Sequence, residues 1–287
     1  MLRHVILAST LLALPAALSG QQAGDGAARR ASAMPEVATR VVVHVIAHDA
    51  KVIGSHVGGV RVSILDATSG DTLAAGLQSG GTGDTKLIMR DPRVRGRALF
   101  DTPGTASYSA SLDLSGPTRV RIVAEGPLGI PDAMQRASTT LVLFPGENLT
   151  GDGVVLELYG LAVTPELPGG GGGAAPSGDA SGPATADRVV TVSGRTIAVR
   201  ATVTMLCGCP ITPGGLWDAR GVRVRARLLR GDRVVAETPL AYAGRASTFE
   251  GSVSAPAPGD YRLVVLASES ARSNFGRAER SIRVSGD

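Results

Sequence analysis

The chain has 287 residues with 29 Lys+Arg against 25 Asp+Glu and a formal net charge of +4, and only 3% of it is aromatic. That length accommodates roughly two domains of about 100 to 150 residues each, and so few aromatic side chains leave no stacking platform for single-stranded nucleic acid, which is set aside as a partner. With two cysteines, no second pair and no His-x-x-x-His spacing in the same half of the chain as the cysteines, a zinc finger is excluded as well.

In chain order, Arg3 and His4 give a basic start, an apolar stretch runs over 5–18, and the small residues Ala17 and Ser19 precede Gly20-Gln21-Gln22. This is the layout of a cleavable signal peptide over 1–20, followed by a disordered stretch over 21–35, so the mature protein is expected to be exported, periplasmic or extracellular. The apolar run is too short to span a bilayer, and no later run approaches the ~20 residues a spanning helix needs.

From there, apolar residues alternate or cluster in short runs broken by Gly, Pro, Asp and Ser, never at helical spacing. The predicted strands of a first domain over 36–166 cover 40–48, 59–66, 71–79, 106–114, 118–125, 138–144 and 153–163. A Gly/Pro/Ser-rich segment over 167–186, with five successive glycines from Gly169 to Gly173, reads as a flexible linker. In a second domain over 187–287 the predicted strands cover 188–192, 196–205, 222–229, 233–240, 247–253, 259–267 and 280–284. Seven short strands in ~100 residues is the immunoglobulin-like count. The expected class is all-β: two antiparallel β-sandwiches joined by the glycine-rich linker.

Charge divides unevenly. Residues 36–165 carry 11 Lys+Arg and 13 Asp+Glu, a net of −2, whereas 187–287 carry 15 Arg and 9 acids, a net of +6. A basic second domain fits an anionic surface or an acidic envelope protein. Arg223, Arg225 and Arg227 alternate with apolar residues, a strand with one buried and one charged face whose guanidinium row reads as solvated surface or edge protection. Arg230-Gly231-Asp232 falls at a hairpin tip, where the turn itself demands Gly-Asp.

Two places hold residues with chemical potential. His44, His48 and His56 cluster early in the first domain, and His48, Asp49 and Asp84 are candidate metal ligands. Ordinary strand and turn histidines are the competing reading, and the Gly80-Gly81-Thr82-Gly83-Asp84-Thr85 run lacks the lysine and the strand-to-helix setting of a phosphate loop. The second place is Met205-Leu206-Cys207-Gly208-Cys209-Pro210. If the strand ran on unbroken, Met205, Cys207 and Cys209 would share one face and present three soft sulfur donors to Cu(I), the single cofactor these residues point to. Alternatively the cysteines pair as a disulfide, which needs the chain to curl at Gly208 and Pro210, or stay free. The following loop, with Pro213, Trp217 and Asp218, is a candidate partner-facing loop, the other reading being that Trp217 plugs the core. No nucleophile motif links a serine, a histidine and an acid, so no catalytic residues are assigned and an enzyme is not expected.

Pro258-Gly259-Asp260-Tyr261-Arg262-Leu263-Val264-Val265 resembles the late strand of bacterial Ig-like and fibronectin-type modules, in which a tyrosine hydroxyl ties back to the backbone. Gly58-Gly59-Val60-Arg61-Val62-Ser63-Ile64, with Asp66 and Ser69-Gly70-Asp71-Thr72-Leu73, is similar to the start of prealbumin-like or carboxypeptidase-regulatory-like sandwiches. The two-part layout also resembles uncharacterised exported bacterial proteins. These likenesses imply fold and export, and no activity. The functional expectation is a non-catalytic exported protein presenting loops to an envelope partner. The alternative is periplasmic copper handling or thiol redox at Met205, Cys207 and Cys209.

Overall fold

A computed structural model describes residues 36–170 and 189–286. The expected signal peptide and the stretch after it, together with 171–186 of the glycine-rich segment and residues 187–188, lie outside the described residues.

The first sandwich contains β1 (Val37–Ala47), β2 (Val60–Asp66), β3 (Thr72–Gln78), β4 (Tyr108–Leu114), β5 (Thr118–Gly126), β6 (Gln135–Leu143) and β7 (Leu149–Leu158). Two sheets form, in the orders β4-β1-β7 and β3-β2-β5-β6. Their inner faces follow the period of two: Val41, Val43 and Val45 from β1, Val60, Val62 and Ile64 from β2, and Val120, Ile122 and Ala124 from β5 are all fully buried. β1 lies antiparallel to β4 but parallel to β7, so the first and last strands close side by side.

Between β3 and β4 the chain makes a long excursion containing the short helix α1 (Thr85–Met89). It supplies Ile88, Phe100 and Ala106 to a small core of its own with Val52. The Asp152 carboxylate on β7 anchors it by accepting the backbone amides of Leu99, Phe100 and Asp101, with Phe100 N at 2.7 Å.

The second sandwich contains β8 (Leu161–Glu166), β9 (Val190–Ser193), β10 (Thr196–Met205), β11 (Arg223–Arg230), β12 (Arg233–Tyr242), β13 (Thr248–Ser254), β14 (Gly259–Glu269) and β15 (Asn274–Ser285). These are hydrogen-bonded in the order β8-β10-β13-β12-β11-β14-β15-β9. β12 pairs with β11 along most of its length and then with β13 through Ala241 and Tyr242, carrying the chain from one layer to the other. β9 runs parallel to β15. Tyr261 opens β14 as the sequence resemblance implied: its hydroxyl donates to Ala257 O at 2.6 Å and accepts from Arg230 Nη2 at 2.9 Å. The Arg230-Gly231-Asp232 tip is a turn with Gly231 at φ +60°, held by Arg262 Nη2 donating to Gly231 O at 3.0 Å.

The predicted strand over 153–163 is two strands. β7 ends at Leu158, only Tyr159 and Gly160 intervene, and β8 then pairs antiparallel with β10 from Leu161↔Met205 to Glu166↔Arg200. Residues 161–166, expected in the first sandwich, therefore belong to the second. The glycine-rich segment joins β8 to β9 within that second sandwich. The physical reason lies in Gly160, whose φ of +143° breaks the extended run and turns the chain away from the first sheet. Among the described residues no helix is long and apolar enough to cross a membrane.

Candidate functional site at the seam between the sandwiches

Residues from both candidate clusters meet where the two sandwiches touch. β1 ends in a turn with Asp49 at φ +51°. The Asp49 carbonyl accepts Trp217 Nε1–H at 3.0 Å, and its carboxylate pairs with Arg272 Nε at 2.8 Å. Asn274, fully buried at the start of β15, donates from Nδ2 to His48 O at 3.4 Å and accepts Gly160 N–H on Oδ1 at 3.0 Å. Further round the seam, Arg280 Nη1 bonds Asp132 Oδ2 at 2.6 Å.

His48 is held on two sides. Its Nδ1 lies 2.9 Å from Glu157 Oε1, and its ring stacks on Tyr159 with centroids 3.8 Å apart. A cleft of about 510 Å³ opens beside it, lined by His48, Asp49, Asp91, Arg93, Glu157 and Arg272 among others. Asp84 does not join His48 and Asp49. Its side chain caps α1 by accepting Leu87 N–H at 2.9 Å, and that bond leads the causes that hold its carboxyl below the ordinary aspartate range. Among the described residues no three His, Cys, Asp or Glu side chains are grouped to hold a metal ion. The expected His48–Asp49–Asp84 site is thus dispersed, because Asp84 is spent on the helix cap. His44 is buried under the excursion, its Nδ1 3.0 Å from Asp152 O. His56 reaches the seam from the other end, against the cysteine turn.

That turn begins where β10 stops at Met205, so the unbroken strand needed to line up three sulfurs on one face is not formed. Gly208 N–H bonds Met205 O at 2.8 Å and Met205 N–H bonds Cys209 O at 3.1 Å, which curls the chain back on itself. Gly208 sits at φ +72°, and a Cβ there would lie 2.5 Å from His56 Nε2. Both the left-handed backbone and the close approach of the first sandwich therefore require glycine. The sulfurs of Cys207 and Cys209 lie at disulfide distance, with the Cα atoms 5.4 Å apart, and Met205, Cys207 and Cys209 are all buried.

Trp217 is 5% exposed and faces the first sandwich through its bond to Asp49, so it plugs the seam instead of anchoring an external partner. Asp218 is tied to Arg220, whose Nε lies 2.8 Å from its Oδ2, and that guanidinium, followed by the amides of Arg220 and Gly214, holds the Asp218 carboxyl well below the usual range. Of the loop residues proposed to face a partner, Pro213 is exposed.

Sequence reasoning missed Arg272, Glu269 and Asn274. Glu269 is 2% exposed and receives Arg272 Nη1 on Oε1, while its Oε2 has no partner among the described residues. Glu269, then Asp49 and Asp218, stabilise the charged form of Arg272. One signal was legible: a lone glycine inside a strand pattern, Gly160, marks a break or a close backbone approach.

No family model and no curated protein matches this chain. Solved structures that resemble it include an engineered protein, at 18% identity over 50% of this chain with a TM-score of 0.26, of whose length this chain spans 24%. Fibronectin(III)-like modules of CbhA from Clostridium thermocellum match at 12% identity over 87% of this chain and 94% of theirs, TM-score 0.24. The titin domains z1z2, in complex with telethonin, match at 11% identity over 88% of this chain and 98% of theirs, TM-score 0.21. Those scores are too low to add to what the strand order already establishes, a nearly all-β chain built of packed β-sheets.

Proposed function

We propose that this is a non-catalytic exported binding or structural protein, in which two β-sandwiches form one rigid body that presents its outer faces and loops to an envelope partner. The observation that supports it is the seam. Asp49, Arg272 and Trp217 bond across it, and His48 is held between Glu157 and Tyr159 beside it. Asp84 and Asp218 are engaged locally in a helix cap and a loop, so the side chains best suited to chemistry or recognition are each tied up within the fold. Such engagement spends interaction energy on orientation, which lowers the cost of binding a partner with both sandwiches at once. Crosslinking in native extract followed by size exclusion tests the reading. Recovery in a defined complex is expected, and recovery as an unpartnered monomer under every condition would overturn it.

A second reading, thiol redox or copper handling, is favoured by the Cys207–Cys209 pair. A disulfide closing so short a loop constrains the unfolded chain little, so a chemical role for the pair is worth testing. Cu(I) binding would require the reduced form, in which both thiolates are released beside Met205. Anaerobic Cu(I) titration of the reduced protein decides it: tight binding that disappears in a double Cys→Ser variant supports the copper reading, and unchanged affinity eliminates the site.

A further inference from the structure

The outer face of the second sandwich carries a row of cations whose mode of binding is already displayed by the protein itself. Arg223, Arg225 and Arg227 project outward from alternate positions of β11. Glu237 on β12 straddles two of them: Arg225 Nη1 lies 3.0 Å from its Oε1, and Arg227 Nε lies 2.5 Å from its Oε2. Arg227 first, then Arg225, holds the Glu237 carboxyl below the ordinary glutamate range. Alternate residues on a strand are about 6.6–6.8 Å apart, so one carboxylate bridging two successive guanidiniums is the geometry this row supports.

The gap between Arg223 and Arg225 has the same spacing and stands open. Arg223 has no ion-pair partner among the described residues. Beside the gap the apolar side chains Leu266 and Phe275 stand next to the polar Ser268 and Arg277. Arg225 is paired in register with Leu266 on β14, and Arg223 with Ser268, whose own neighbour on β15 is Phe275. Phe275 is 55% exposed. These residues line a groove of about 430 Å³ that reaches Asp132 of the first sandwich.

We propose that this groove binds an extended acidic peptide of the partner, with one carboxylate bridging Arg223 and Arg225 as Glu237 bridges the next pair, and an apolar side chain seated on Leu266 and Phe275. The inference rests on the binding-protein reading above and names the chemistry of its partner. A peptide fits the spacing. Running from β11 toward β15, it places its next same-facing side chain about 6.6–6.8 Å on, between β14 at about 4.8 Å and β15 at about twice that, over Leu266 and Phe275.

The test is fluorescence anisotropy with a labelled peptide of repeated Glu-Ser-Leu-Ser units. Saturable binding that weakens with salt is expected, together with a roughly tenfold loss in Arg223→Glu and a smaller loss in Phe275→Ser. Glu237→Gln is expected to bind more tightly, because it leaves two guanidiniums without a competing carboxylate. All three positions are on the outer face, and an unchanged melting temperature separates lost binding from lost fold. Equal binding by Arg223→Glu overturns the proposal, as does polygalacturonate binding with the same dependence on Arg223 while the peptide does not bind. If the peptide fails and both wild type and Arg223→Glu are still crosslinked into the same complex, the groove is wrong and the binding-protein reading stands. An unpartnered monomer in every condition sinks that reading itself.

Discussion

Two connections in this chain look opposite in sequence and act opposite to their looks. The segment 167–186 is rich in glycine and reads as a boundary between domains, yet it lies between β8 and β9, two strands of one sandwich. Tyr159-Gly160 lies within what reads as a single strand, yet there the chain leaves one sandwich for the other. The second is defined by what it packs against: Tyr159 stacks on His48, and Gly160 N–H is held by the buried Asn274. Composition reports how little a segment contributes to a core, whereas strand pairing decides which core its neighbours join.

If the junction is a lock and not a hinge, the residue that fills the seam should carry the largest effect. Trp217→Ala removes a buried indole and its bond to Asp49, and a loss of about 3–5 kcal/mol is expected. Because the indole belongs to the second sandwich and its hydrogen-bond partner to the first, denaturant unfolding should also change from one transition to two. A variant that unfolds in one transition at the wild-type midpoint would show that the seam contributes nothing to cooperativity.

Asn274→Ala tests the polar half of the same lock. It strips Gly160 N–H of its acceptor and His48 O of a donor, and leaving a buried amide unsatisfied costs about 1–3 kcal/mol. The check is the denaturant midpoint, measured beside Tyr261→Phe, which removes a hydroxyl bond wholly inside the second sandwich at a cost of about 0.5–1.5 kcal/mol. If Tyr261→Phe proves the more damaging, the junction is looser than its hydrogen bonds imply.

Most of the strands were legible in the sequence because their inner faces obey the period of two without interruption, as in Val60, Val62 and Ile64. The curl at Gly208 was legible as one of the alternatives, since glycine permits the left-handed backbone it needs and Pro210 discourages a continued strand. The seam was not. Asn274 bonds residues 114 and 226 positions away, and nothing local distinguishes it from any other asparagine beside a turn. Trp217 illustrates the limit from the other side. That it would plug something was readable from its size, but that it would plug the other sandwich depended on β8 crossing over first.

Acid offers a milder probe of the loop that carries Trp217. The Asp218 carboxyl is held low by Arg220 and by the amides of Arg220 and Gly214, so its folded pKa lies below its unfolded one. Its contribution to stability is therefore complete above the unfolded value of about 3.9 and is lost as pH falls through the folded value. The amide resonances of Gly214 and Arg220 should shift together only below about pH 4. In Asp218→Asn that movement should vanish. Movement near neutral pH would mean that another group governs the loop.

The smallest effect should come from the segment that looks most like a boundary. Doubling 171–188 in length lengthens the connection between two strands of one sandwich, which is expected to add only about 0.6 kcal/mol of closure entropy. One residue inserted between Tyr159 and Gly160 should cost far more, because Gly160 N–H would leave Asn274 and β8 would have to reach Met205 from a displaced start. Cutting the chain within 171–188 sharpens the contrast further. A tether between independent domains would release two bodies when cut, whereas here β8 stays paired along β10 and the seam stays closed, so the two fragments should elute together.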